Sequence, residues 1–276
     1  MPTFETLTYE VAEGVATLIL NRPESKNAIN PAMADELGDL LSTVKRDASV
    51  RALVITGAGG AFSAGGDVRG MNSAGPRSPA QIRAGMERYR RATVELMGLD
   101  RPVIAAVDGV AYGAGFSLAL LADIVLLSER ARLCMVFQRI GLVPDFGALY
   151  TLPRIVGLQR AKELMYSARE IGPQEALSMG IALEVLPAGE LLPRAQALAQ
   201  SLCGASDAAM SVTKQALNAS LGSDLTTMLE MEANGQAIAA SSDYLKESAR
   251  RFVAKEPPQF RWPDRKNPNP HPKNDA

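Results

Sequence analysis

The chain has 276 residues, of which 47% are hydrophobic and 21% charged, with a formal net charge of -1. This is the profile of a globular protein with a sizeable core and without the positive field that attracts nucleic acid or anionic membrane. Two cysteines, Cys134 and Cys203, without a CxxC partner argue against a disulfide framework or zinc site, and a reducing compartment such as the cytoplasm is expected.

In chain order, residues 3–11 and 14–20 read as two strands joined at a turn around Glu13-Gly14. "NRPESKNAIN" is a loop rich in turn formers. "PAMADELGDLLSTVKRD" has apolar residues at helical spacing, with Pro31 suited to a first turn. "RALVITGAGGAF" is a buried strand running into glycines. "SPAQIRAGMERYRRATVELMGLD" is an amphipathic helix. "RPVIAAVDGVAYGAG" repeats the strand-then-glycines pattern, and it leads into the buried helix "GFSLALLAD" and the strand opening "IVLLSERARLCM". Alternation of helices with strands apolar on both faces predicts an α/β fold with mainly parallel strands.

From about Leu158 the pattern becomes helical, which predicts a core over 1–195 and a helical C-terminal subdomain over 196–255. Residues 256–276 are rich in Pro, Asn and charge and read as a mobile tail. No signal peptide and no membrane-spanning run is apparent.

The single histidine, His271, lies in that tail. A Ser-His-Asp triad, a Cys-His pair or a multi-histidine metal site needs a histidine inside the fold. Proton transfer in the body therefore falls to Asp, Glu, Lys, Tyr, Cys or water.

Two glycine-rich loops follow two strands. In "TGAGGAFSAGGDVRG" the start half-matches a dinucleotide fingerprint, but Phe62 occupies the third glycine position, so a tight turn is the better reading. In "DGVAYGAGFSLA" small residues stand where a strand enters a helix. Two such loops on adjacent strands have the layout of an oxyanion hole, one N–H from each. Glycine content alone favours plain packing turns.

Five stretches in register resemble the crotonase (enoyl-CoA hydratase/isomerase) family: "NRPESKNAIN", "ALVITGAGGAFSAGGDV", "RPVIAAVDGVAYGAGFSLALLADIVL", "ARLCMVFQRIGLVPDFGALYTLPRIVG" and "AKELMYSAREIGPQEALSMGIALEVLP". The resemblance implies a superhelix of stacked ββα units with a helical C-terminal part that makes trimers or a dimer of trimers. It implies an acyl-CoA substrate, with coenzyme A as part of it, and neither a metal nor any other cofactor. It puts the oxyanion donors at the N–H groups of Gly66 and Ala114. Lys26 and Ala28 match the family's CoA-contacting segment, and Ala64, Ser117 and Phe137 match substrate-facing positions. Two preorganised N–H groups on an enolate oxygen suit proton abstraction beside a thioester, one donor being worth ~10²–10³ in rate.

The resemblance also says which residues distinguish its chemistries. Hydratases of the family use two glutamates, and the matching positions here are Ser117 and Phe137. Neither residue activates water or protonates carbon. Asp145, in "GLVPDFGALY", stands where hydratases carry a small residue, and a carboxylate there resembles the members that shift a double bond. Phe137, Val143, Phe146 and Leu149 are expected to wall it in and raise its pKa above the usual ~3.9. The competing reading of "PDFG" is a turn whose aspartate caps the following helix. Dehalogenases of the family use a nearby aspartate with a histidine and a tryptophan, but His271 and Trp262 lie near the tail. The expected activity is isomerisation of a 3-enoyl-CoA to the 2-enoyl form. The alternatives are another crotonase reaction, such as hydration, or a non-catalytic acyl-CoA-binding protein.

Overall fold

A computed structural model describes residues 4–73 and 75–264; His271 and the rest of 265–276 lie outside the described residues. The strands are β1 (Leu7–Ala12), β2 (Val15–Leu20), β3 (Ala52–Gly57), β4 (Val103–Val107), β5 (Val110–Tyr112), β6 (Ile124–Ser128), β7 (Arg132–Cys134), β8 (Glu170–Ile171) and β9 (Glu184–Leu186). The helices are α1 (Pro31–Arg46), α2 (Val68–Ser73), α3 (Pro79–Gly85), α4 (Glu87–Met97), α5 (Ala114–Ala119), α6 (Ala148–Val156), α7 (Leu158–Ser167), α8 (Pro173–Ser178), α9 (Ala188–Leu202), α10 (Asp207–Ser220), α11 (Leu225–Ala240) and α12 (Asp243–Ala254).

The large sheet has the order β1-β2-β3-β4-β6-β9. Only the β1–β2 pair is antiparallel; every later neighbour is parallel. A small sheet, β5-β7-β8, lies apart. Consecutive strands thus divide between the sheets. β4 enters the large one and β5 the small one before α5; β6 and β7 repeat the move before α6. These are the ββα units that the family resemblance implies.

Alternation along β3 shows why both sheet faces are buried. Leu53 and Ile55 join a core cluster with Met33, Leu37, Leu41 and Phe62, which α1 seals from one side. Ala52 and Val54 join a second cluster with Ile104, Leu126, Ala195 and Leu198, sealed by α9.

Three details depart from expectation. The first strand starts at Leu7 rather than near residue 3, because the Glu36 carboxylate of α1 takes the N–H groups of Glu5 and Thr6 at 2.7 and 2.9 Å. The single helix expected over "SPAQIRAGMERYRRATVELMGLD" is two helices meeting at Met86. Residues 256–264, expected as the start of a mobile tail, lie against the body. Phe260 packs on the second cluster, and the carbonyls of Arg261 and Pro263 accept from Ser201 and Arg194.

The helical C-terminal part is tied to the core by charge. Lys214 of α10, buried, donates to the Asp123 carboxylate at 2.7 Å and to the Arg101 carbonyl at 3.0 Å. Arg194 of α9 forms a two-pronged, buried ion pair with Glu184, at 2.9 and 2.8 Å. No described helix is long and apolar enough to cross a membrane.

Candidate active site

The two glycine loops lie side by side. Residues 63–67 run as a short segment, bent at Gly65, between residues 26–29 and β5. On the β5 side, Phe62 and Ser63 donate to the Val110 carbonyl, and Tyr112 donates to the Ser63 carbonyl at 2.9 Å. On the other side, Ala64 donates to the Lys26 carbonyl, Ile29 to the Gly65 carbonyl, and Asp67 to the Ile29 carbonyl.

This register decides where the Gly66 N–H points. Within one trans peptide the N–H and the carbonyl point in opposite directions, and the Gly66 N–H shares its peptide with the Gly65 carbonyl. The Gly65 carbonyl and the Asp67 N–H both face Ile29, so the Gly66 N–H faces the other way, toward β5 and the start of α5. No backbone or side-chain group accepts from it among the described residues. Ala114, the first residue of α5, likewise has an N–H without an acceptor, as the first turn of any helix must.

The loops approach closely because glycine stands at the crossing. Gly65 has φ +93°, and a Cβ there would sit 2.5 Å from the Tyr112 carbonyl oxygen and 3.5 Å from the Ala114 nitrogen. Gly115 lies as tightly on Ser63, where a Cβ would be 2.6 Å from the Ser63 Cβ. Gly66 and Ala114 are therefore brought to one place.

Ser117 is fully buried, and its hydroxyl donates to the Gly113 carbonyl at 3.1 Å, one turn back in α5. That carbonyl shares a peptide group with the Ala114 N–H, so Ser117 steadies the donor. Phe137 is also buried and sets its ring against Gly113, 3.7 Å from where a Cβ would stand. Neither position carries a proton-transferring group.

Asp145 follows a few residues later. Helix α6 takes Gly147, not Asp145, as its N-cap, and no side chain caps it. The aspartate thus does not serve as the cap that "PDFG" allowed. Its Oδ1 is buried without any hydrogen-bond partner. Burial pushes its pKa from 3.8 up to about 6.

The walls differ in part from those expected. Phe137 and Phe146 are buried, but Val143 and Leu149 are exposed at 70% and 57%, so neither encloses the carboxylate. Helix α4 takes their place. Tyr89 packs edge-on to Phe146, and its own hydroxyl is held above the usual range by burial first and by the Asp145 charge among lesser causes. Gly147 lies on Thr93 and on Leu121, just past the end of α5. The segment from Phe137 to Gly147 therefore touches α5 at both ends, Phe137 beside Gly113 and Gly147 beside Leu121. The backbone turns sharply there, with Phe146 at φ +48° and Gly147 at +75°.

Lys26 is exposed, with φ +51°, at the rim beside the loops; Ala28 is nearly buried next to it, and Ala64 is half-buried. Nearby, Arg22 donates to the Ala28 carbonyl and pairs with Asp67 at 3.1 Å. Asp67 is held below the usual carboxylate range, chiefly by the Gly70 N–H and also by Arg22. It is an anchor for its loop. Two residues of consequence that the motif reading passed over are Asn27 and Ser63, both fully buried. Their type gives no hint of role; only their hydrogen bonds, to groups tens of residues away, do.

Among the described residues no set of three His, Cys, Asp or Glu side chains could hold a metal ion. A separate groove of about 780 Å³ runs between α6 and α10, lined by Leu121, Tyr150, Lys214, Leu217 and Leu221 among others. It meets the site only through Leu121 and does not reach the Gly66 and Ala114 donors.

The profile of the family described as Enoyl-CoA hydratase/isomerase matches residues 10–263. The chain is 38% identical over 258 residues to the 1,2-epoxyphenylacetyl-CoA isomerase of Escherichia coli (strain K12), covering 93% of this chain and 98% of that protein. It is 37% identical to a probable enoyl-CoA hydratase of Rhodobacter capsulatus, over 94% and 98% of the two chains. Among solved structures it is similar to an enoyl-CoA hydratase/isomerase from Cupriavidus metallidurans CH34, with TM-score 0.91, 42% identity and coverage of 96% and 100%.

Proposed function

The chain belongs to the enoyl-CoA hydratase/isomerase family, with its crotonase-type fold, and within that family we propose that it is an isomerase that moves the double bond of an enoyl-CoA from the 3- to the 2-position. The observation that carries this reading is the buried, unpartnered Oδ1 of Asp145, beside a site whose other two candidate proton-transfer positions hold Ser117 and Phe137.

The proposed steps follow from these groups. The CoA portion enters past Lys26 and Ala28, the lysine serving as a point charge for phosphate. The thioester oxygen accepts from the Gly66 and Ala114 N–H groups. The Asp145 carboxylate takes a proton from C2, and the electrons move onto the thioester oxygen and across C3 as a dienolate. The two donors stabilise that charge as it forms. The carboxyl group then returns the same proton to C4, leaving the double bond between C2 and C3. One base suffices because removal and return are sequential. A pKa near 6 suits this cycle, since the base is ionised at neutral pH yet more basic than an ordinary aspartate.

A hydratase needs a second group to activate water, and the positions that would supply it are apolar or internally bonded. The test supplies purified protein with a 3-enoyl-CoA and, separately, a 2-enoyl-CoA. Conversion of the first to the 2-enoyl thioester should dominate; faster addition of water to the second would reject the isomerase reading. The exposed Leu217, Leu221, Leu225, Phe252 and Val253 of the C-terminal helices are the surface proposed for assembly into trimers.

A further inference from the structure

We propose that Asn27 and Ser63 are positioning residues for the Gly66 oxyanion donor. They hold the peptide that carries it while touching no substrate themselves. The inference rests on the reading of Gly66 and Ala114 as the thioester-binding pair.

The argument starts from one peptide group. The Gly66 N–H belongs to the same planar trans peptide as the Gly65 carbonyl, so the two point in opposite directions. The Gly65 carbonyl is fixed by the Ile29 N–H at 2.7 Å. Whatever holds the 26–29 segment against Gly65 therefore aims the Gly66 N–H. A donor is useful to an enolate only when it is aimed before the charge forms.

Asn27 fixes that segment from within. It is fully buried, in a left-handed conformation with φ +55°. Its side-chain oxygen accepts from the Arg22 N–H at 2.9 Å, and its amide donates to the Ala58 and Ala61 carbonyls at 2.9 and 2.8 Å. These bonds tie the 22–29 loop to the start of the glycine-rich loop more than thirty residues on.

Ser63 completes the connection. Its hydroxyl donates to the Asn27 carbonyl at 2.8 Å and accepts from the Gly65 N–H at 3.1 Å. Its own carbonyl accepts from Tyr112 at 2.9 Å, and Gly115 packs directly on its Cβ. One fully buried serine thus bridges the strand that orients Gly66 and the loop that carries Ala114. A turn needing only to close would have no use for a side chain contacting both loops.

The test separates positioning from general stability. Ser63→Ala and Asn27→Gly are compared with the wild type; glycine tolerates the φ at position 27. Three quantities are read: kcat and KM for isomerisation of a 3-enoyl-CoA, the melting temperature, and the infrared carbonyl stretch of bound hexanoyl-CoA labelled with ¹³C at the thioester carbon. This saturated thioester does not react, so its stretch reports only how strongly the two N–H groups polarise the carbonyl.

In the wild type the stretch should move to lower frequency on binding. In Ser63→Ala that displacement should shrink, with kcat falling roughly 10- to 100-fold, short of the full ~10²–10³ for a deleted donor, and KM staying within about threefold. Asn27→Gly should behave likewise, and it carries the test should Ser63→Ala not fold. Wild-type kcat and a full carbonyl displacement in a folded variant, with only the melting temperature lowered, would overturn the proposal. Absence of any displacement in the wild type would instead reject the thioester site itself.

Discussion

The ring of Phe146 meets that of Tyr89 edge to face, with centroids 5.5 Å apart and planes at 69°. The contact joins α4 to the strained turn that follows Asp145, and it helps keep that carboxylate dry.

Asp145→Asn keeps the shape and removes the base. Isomerisation of a 3-enoyl-CoA should fall by about two to four orders of magnitude, the usual worth of a general base. Steady-state assay with the wild type alongside measures this. Activity equal to the wild type would exclude Asp145 as the proton carrier.

The same variant should alter stability with pH. The folded pKa of Asp145 is raised to about 6 from 3.8, so the folded state binds the proton more tightly than the unfolded state. Stability contributed by the protonated form is full below the unfolded value and is lost as pH rises through about 6. Asp145→Asn should therefore melt higher than the wild type at pH 8, and the difference should close toward pH 4. Parallel melting curves across that range would contradict the buried, unpaired carboxylate.

Catalysis should run the opposite way. The ionised carboxylate is the active form, so kcat/KM should fall on the acid side with a midpoint near pH 6. Phe146→Ala should let water reach Asp145 and move that midpoint down toward the ordinary carboxylate range, because burial is the cause of the shift. An unmoved midpoint in a folded Phe146→Ala protein would show that this ring does not control the carboxylate.

Gly65→Ala tests the crossing of the two loops. A Cβ there would stand 2.5 Å from the Tyr112 carbonyl oxygen in a conformation already at φ +93°. The loops must part, and kcat should drop about 10²–10³-fold with a smaller change in KM, as for loss of one oxyanion donor. Crystallography of the variant with bound acyl-CoA would show the displacement.

Glu184→Gln removes the carboxylate paired directly with the buried Arg194 guanidinium and leaves only the less strongly coupled Asp264 charge near it. Breaking a buried pair from one side costs about 3–5 kcal/mol. Urea unfolding should register a loss of that order, with the catalytic pH profile unchanged.

The parallel α/β core was legible because β3 is apolar up to its closing Thr56-Gly57 and β4 is apolar throughout, a pattern that fits burial on both faces. Asp145 stood out in the sequence as an acidic residue in apolar company, whereas Gly66 and Ala114 were placed as donors by the family resemblance, since glycine content alone favoured plain packing turns. The walls around Asp145 were only half legible. Val143 and Leu149 are as apolar as Phe146, and hydropathy does not tell an inward side chain from an exposed one. Tyr89 was missed because it lies over fifty residues upstream, on a helix whose break at Met86 sets its facing. Asn27 was read only as part of a turn-rich loop, since its side-chain and main-chain partners become neighbours only once the chain has folded. The segment 256–264 was misread for a related reason. Its prolines and charges resemble a free tail, while Phe260 and the hydrogen bonds of Gln259, Arg261 and Pro263 supply the anchorage.

That anchorage bears on how the protein is made. The cluster sealed by α9 includes residues from β2, β3, β4 and β6, and Phe260, near the last of the described residues to be synthesised, is among the partly buried side chains packed against it. A nascent chain emerges N-terminus first. A chain halted short of Gln259 would therefore have α9 in place over this cluster but lack Phe260, leaving that one flank of it open to any chaperone within reach.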